Sequence, residues 1–234
     1  MSYTVFESTC MGTTKYAERI FDAVATTDIE NGTFGYLNGL ATGESNVYNF
    51  AKGTTSGLKI GDIVVVDNPA WTEDSSKITN QRRDKYVIPA GTRFRVRVIK
   101  KNDEFGISID GITSATQSVV TAVTDFKSTA VYVSIDSTTG KLVAATIKPD
   151  STVVVGKIER KRVTGATLVT TAHTYGSKTD IYEIRVIDTV ATLGDGVGAT
   201  TLNELTDVTI TSATSGQVLK YDGTKWANAA DATE

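Results

Sequence analysis

Thr92-Arg-Phe-Arg-Val-Arg-Val-Ile99 is the clearest strand in the chain, and its reading sets the fold class. Side chains alternate across a β-strand, so Phe94, Val96 and Val98 share one face and Arg93, Arg95 and Arg97 the other. Downstream, Lys100-Lys-Asn-Asp103 reads as the turn of a hairpin whose return strand is Glu104-Phe-Gly-Ile-Ser-Ile-Asp110. Upstream, Gly61-Asp-Ile-Val-Val-Val66 is a continuous apolar run closed by Asp67-Asn68-Pro69, which fits a strand buried on both faces. Trp71 follows, and then Thr72 to Lys85 is polar, charged and aperiodic, a surface excursion.

The same pattern repeats along the chain. Asn31-Gly32 is a turn, Thr33 to Leu37 a strand, and Asn38-Gly39 a second turn. Further strands are expected at Ala130 to Ile135, at Lys141 to Ile147 across the Asp136-Ser-Thr-Thr-Gly140 turn, at Thr152 to Glu159 and at Ile181 to Ile187. Between Lys15 and Ala25, Tyr16, Ile20 and Val24 recur at helical spacing, whereas Val24 to Ile29 favours strand, so helix and strand both stay open there. In 234 residues, 40% hydrophobic and 22% charged, there is enough chain for a proper core. Abundant Thr and Ser, with Val and Ile in short runs between glycines, make an all-β composition, and turn signals roughly every ten residues point to a sandwich or barrel.

Four regions follow. Residues 1–17 are an extended N-terminal arm of the kind that docks on a neighbour. Residues 18–190 are a β-rich body, either one domain or two lobes divided near 112–130. Residues 191–201, Gly-rich and nearly uncharged, are a flexible linker. Residues 202–234 are a terminal hairpin: Val208 and Ile210 alternate with Thr209 and Thr211, Ser215-Gly216 turns the chain, Val218 to Tyr221 is a strand, and Asp222-Gly223 turns it toward Trp226. A hairpin this small has no core of its own. Val208, Ile210, Leu219, Tyr221 and Trp226 are therefore candidates for self-association or for contact with a neighbouring protein.

Leu205, Asp207, Val208, Ile210, Ser215, Gly216, Gln217, Leu219, Tyr221, Asp222, Gly223 and Trp226 match a segment that recurs in phage fibre and other virion-surface proteins, which this region resembles. A second resemblance spans about residues 18 to 112. Its parts are the Asn31-Gly32 turn, the Val-rich strand ending in Asn68-Pro69, the Pro89-Ala-Gly91 turn and the turn beginning Lys100-Lys-Asn-Asp103. Their order is similar to the scaffold of small phage capsid decoration proteins. Together the resemblances imply a virion structural protein on the capsid outer surface, assembled in the host cytoplasm, with the major capsid protein as partner. They imply a homo-oligomer, a trimer by analogy, with a fibre component that contacts the host surface as the alternative.

The remaining chemistry is sparse. A net charge of −3 argues against nucleic acid as the main partner. Cys10 is the only cysteine, which excludes an internal disulfide and a thiolate zinc site, and it reads as a buried or interface thiol. Met1 to Val5 lacks the pattern of a secretory leader, and no apolar stretch reaches the ~20 residues of a membrane span, so no membrane association is expected. His173, the single histidine, has no local nucleophile or orienting carboxylate. Gly194 to Gly198 lacks the Lys-Ser/Thr and βα context of a phosphate loop, and no calcium loop occurs. No enzyme activity, cofactor or metal is expected. Arg82, Arg83 and Lys85, with the Arg93, Arg95 and Arg97 face, are the candidate capsid contacts, because Arg makes bidentate bonds to carboxylates and sets orientation. Lys157, Arg160, Lys161 and Arg162 form a second basic cluster.

Overall fold

Ile63, Val64, Val65 and Val66 are all buried because the strand they form separates two cores. Val64 and Val66 pack with Phe50, Phe94, Val96 and Val98, while Ile63 and Val65 pack on the other side with Phe34, Phe105 and Ile107. The computed structural model describes residues 2–11, 20–58, 60–69, 83–149, 155–164, 168–169, 174–175, 178–188 and 208–230. Trp71, Arg82, His173 and the Gly-rich stretch 191–201 lie outside them.

In chain order the strands are β1 (Phe6–Cys10), β2 (Ile20–Val24), β3 (Phe34–Leu40), β4 (Val47–Lys52), β5 (Ile63–Val66), β6 (Phe94–Val98), β7 (Glu104–Ser108), β8 (Tyr132–Ile135) and β9 (Leu142–Ala145). They continue with β10 (Val155–Thr164), β11 (Leu168–Val169), β12 (Thr174–Tyr175), β13 (Thr179–Asp188), β14 (Val208–Thr209), β15 (Gln217–Tyr221) and β16 (Trp226–Ala230). The one α-helix among the described residues is α1 (Gln117–Thr121). The fold is thus all-β. No helix among the described residues is long and apolar enough to cross a membrane.

Five strands close a barrel in the order β2-β4-β3-β5-β6, with β2 and β4 parallel and the other neighbours antiparallel. Phe94, Val96 and Val98 enter its core, as the alternation of Thr92 to Ile99 predicts. A six-stranded antiparallel sheet, ordered β1-β7-β13-β10-β8-β9, covers the barrel from the β5 side. Phe105 sits between the two layers, its ring centroid 5.5 Å from those of both Phe6 and Phe34. Two glycines with positive φ, Gly53 and Gly140, let the β8–β9 turn touch the barrel backbone directly. There Phe34 N–H donates to the Gly140 carbonyl at 2.8 Å, and Gly53 N–H donates to the Phe34 carbonyl at 2.9 Å.

Three sequence expectations are corrected. The Lys100–Asp103 turn does not close a hairpin: β6 pairs within the barrel and β7 within the sheet, so the chain changes layers at this corner. Ile99 N–H bonds the Ile63 carbonyl and Asn102 N–H the Val186 carbonyl, which anchors the corner to both layers. Asn38-Gly39 is a bulge inside β3: Leu37 faces Phe50 and Leu40 faces Tyr48, leaving one extra residue on β3, with Gly39 at φ 71°. Cys10 is exposed, because it ends β1 at an edge of the sheet beyond a register shift. The ambiguous segment 15–25 is strand over Ile20–Val24, and its earlier residues lie outside the described ones. The N-terminal segment is extended, and it pairs with β7 of its own chain, Thr4, Val5 and Phe6 being buried.

The chain divides into two compact units, Met1–Thr192 and Leu193–Glu234. The second holds a three-stranded sheet ordered β14-β16-β15, in which β14 and β16 are parallel and β15 and β16 antiparallel.

Candidate functional site

The basic residues proposed from the sequence fall in two places. Arg95 and Arg97 lie on β6 of the barrel, where they face Asp67 just after β5, and Arg93 immediately precedes that strand. Arg97 is only 8% exposed and donates from Nε to Asp67 Oδ2 at 2.7 Å. Arg95 Nε donates to the Asp67 carbonyl at 2.9 Å, and the exposed Arg93 pairs with Glu44. The Asp67-Asn68 corner is locked further: Asn68 exchanges hydrogen bonds with Asn31 and donates to the Tyr86 hydroxyl. Of this set Arg93 presents the most free guanidinium surface.

Arg83 and Lys85 belong to a short 3₁₀ turn, Arg83–Lys85, beside the first strand of the sheet. Arg83 pairs with Glu7 and donates from Nη2 to the Phe6 carbonyl at 2.8 Å, while Lys85 lies 3.6 Å from Asp84. Their carboxylate partners Glu7 and Asp84 stand apart from Glu44 and Asp67, which pair with Arg93 and Arg97.

Glu7 leads into a larger array on the face of the sheet turned away from the barrel. Arg162 bonds Glu7 and also donates from Nε to Glu183 Oε1 at 2.6 Å, and Arg160 pairs with Glu183. A bulge makes this possible. Ile158 faces Ile184 but Arg160 faces Glu183, so Glu159 is extra and the two arginines turn to the outer face. Burial pushes the Glu7 and Glu183 carboxyls up, yet the arginine hydrogen bonds and charges outweigh it and hold both below the ordinary value of 4.5. Hydrogen bonding to Glu7, opposed by desolvation, raises Arg162. Beside this array Glu104, Lys127, Arg160, Glu183 and Arg185 help to line a depression of about 390 Å³. Its charges largely neutralise one another, since Arg185 also bonds Glu104 at 3.0 Å.

The carboxylate half of these arrays was not singled out from the sequence. The pattern Glu183-x-Arg185 against Arg160-x-Arg162, opposite charges at the same strand parity, was the available signal. Asp67 and Glu7 carried no local signal, because their partners are thirty residues away or more.

The self-association candidates behave differently. In the C-terminal sheet Tyr221 faces Trp226, their ring centroids 5.4 Å apart, and Val208 neighbours Trp226 on its other side. Tyr221 is 57% exposed and Trp226 43%, whereas Val208 is buried. Asp222 fixes the turn: its Oδ1 accepts from the Thr224 and Lys225 amides and the Thr224 hydroxyl, which hold its carboxyl down to about 2.

No group of three or more His, Cys, Asp or Glu side chains among the described residues is placed to hold a metal. Comparison with family models, with curated proteins and with solved structures finds no match to this chain.

Proposed function

We propose that the chain is a structural virion protein that decorates a phage capsid by binding the outer surface of the major capsid protein lattice. The observation that carries this reading is the pairing of an all-β body with a separate small sheet holding the Ser215-Gly-Gln-x-Leu-x-Tyr-Asp-Gly-x-x-Trp226 motif. Arg83 and Arg93, ion-paired yet still partly exposed, are the body's candidate contacts with acidic capsid surface. Such a protein acts by mass action and not by turnover: binding only the assembled shell raises the shell's stability by the binding free energy. The test is co-sedimentation of the purified protein with expanded shells. Binding that weakens as salt rises is expected, and failure to co-sediment at low salt sinks the reading.

The exposure of Tyr221 and Trp226 favours a second reading, a head or tail fibre component that meets the host surface. Copy number separates the two. Quantitative mass spectrometry of purified particles would find a decoration protein in lattice-like abundance and a fibre in only a few copies.

A further inference from the structure

Two Asn-Gly dipeptides occur in the chain, Asn31-Gly32 and Asn38-Gly39, and the fold places them in opposite settings. An asparagine followed by glycine is open to an internal reaction, because a glycine amide, with no Cβ beside it, reaches the preceding side-chain carbon with the least hindrance. The glycine nitrogen attacks Asn Cγ, the Cγ–Nδ2 bond breaks, and Nδ2 leaves as ammonia carrying the glycine amide proton. The cyclic imide that results takes up water across one of its C–N bonds. Opening at Cγ gives aspartate, and opening at the main-chain carbonyl carbon gives isoaspartate, whose backbone runs through Cβ and Cγ.

Asn31 is only 7% exposed, and its side chain is engaged at both ends. Nδ2 donates to the Asn68 carbonyl at 2.8 Å, and Oδ1 accepts from the Asn68 amide at 2.9 Å. The attacking nitrogen is tied as well, since Gly32 N–H donates to the Val66 carbonyl at 2.9 Å. Thr4 and Phe6 close over Gly32, each with a side-chain atom within 3.2 Å of where a Cβ would stand. Reaction there requires the turn to leave both Asn68 and Val66, so it waits on local unfolding.

Asn38 is placed differently. It is exposed, as are Gly39 and Leu40, and among the described residues its amide side chain has no hydrogen-bond partner. It lies in the β3 bulge, where Asn38-Gly39 stands opposite Asn49 alone and the extra residue interrupts the ladder. Nothing comes within 4 Å of the position a Cβ on Gly39 would take, which leaves the side chain room to swing over the glycine nitrogen.

We infer that Asn38 is a site of spontaneous deamidation in the folded chain, while Asn31, in the same dipeptide, is protected. The product adds one negative charge to a net charge of −3 and sets its carboxylate in water, outside both cores. A bulge that already carries an extra residue also absorbs the added backbone carbon of isoaspartate, so the modified chain stays folded and accumulates. The inference is independent of the capsid reading.

The test ages the purified full chain in warm, mildly alkaline buffer, with and without denaturant, and reads each asparagine by peptide mass mapping. An isoaspartyl methyltransferase labels the isoaspartate formed. In the folded chain Asn38 should convert at least about a hundredfold faster than Asn31, whose reaction is limited by opening. In denaturant the two should convert at similar rates. Gly39→Ala sets a methyl group beside the attacking nitrogen and should slow conversion at Asn38 in both states. Asn31 keeping pace with Asn38 in the folded chain overturns the inference. So does an Asn38 that converts only in denaturant, or one whose rate is indifferent to Gly39→Ala.

Discussion

Arg162 on β10 forms an ion pair with Glu7 on β1, although β13 and β7 run between them. The row from Glu7 passes through Gly106 and Glu183 to Arg160, and the missing side chain at Gly106 leaves room for the Arg162 guanidinium to lie across β7. A Cβ at Gly106 would stand 3.4 Å from Arg162 Nη2 and 2.5 Å from Ile181 Cγ2. One arginine thereby ties the N-terminal strand to the middle of the sheet.

This tie makes stability depend on pH in a stated direction. A carboxyl whose folded value is depressed contributes fully above its unfolded value and loses that contribution as pH falls through the folded one. Glu7 and Glu183 both lie below 4.5, so resistance to denaturant should decline as pH drops below that point. Glu7→Gln should cost about 1–2 kcal/mol at neutral pH and flatten the acid decline. Denaturant midpoints of both proteins across the acid range check this, and identical pH profiles would count against it.

Gly140 has φ 69°, and a Cβ there would overlap the Phe34 carbonyl oxygen. Gly140→Ala should therefore lose about 3 kcal/mol or more, from left-handed strain together with separation of the β8–β9 turn from the barrel. Gly39 also has positive φ but meets nothing within 4 Å, so Gly39→Ala should cost only about 1 kcal/mol. Thermal melts of the two variants separate close approach from backbone strain alone.

Arg97 and Asp67 form the most enclosed ion pair among those described, with side chains 10% and 15% exposed. Asp67→Ala leaves the guanidinium without its carboxylate in a site with little water and should destabilise by about 3–5 kcal/mol. Replacing both with apolar residues, Asp67→Leu with Arg97→Met, should recover most of that loss. Equilibrium unfolding of the two single variants and the double one measures the coupling, and additive losses would mean that the pair does not act as a unit.

Removing residues from Ala191 onward should leave the melting temperature of the body unchanged, because the compact units divide at Thr192 and Leu193. The shortened protein should also retain co-sedimentation with shells if the body carries docking. Retained folding with lost docking would move the capsid contact to the C-terminal sheet.

Most strands were legible because their signals are local. Alternation in Thr92 to Ile99 identifies β6 and the residues it buries, and the unbroken run Ile63 to Val66 identifies a strand covered on both sides. Turn chemistry located the β8–β9 hairpin, where Asp136 Oδ1 accepts from the Thr138 and Thr139 amides and Gly140 takes positive φ. The aromatic face of the C-terminal sheet was half legible: the residues were named, but which of them share a side depended on the pairing register.

Sequence by itself determined that this chain is built from strands, and where most of them lie, because side-chain periodicity and turn preference act over a few residues. Tertiary structure alone decided which layer each strand joins. Lys100 to Asp103 looks like a hairpin turn, yet β6 and β7 part there because each finds a better-buried partner far along the chain. It also decided what the arginines do. Alternation places Arg97 on the polar side of its strand, but Asp67, thirty residues earlier, covers it. A single extra residue at Glu159 turns Arg160 and Arg162 outward, and Gly106 opens the path to Glu7. Pairing between distant strands rests on burial and loop closure across the whole chain, which no local period records.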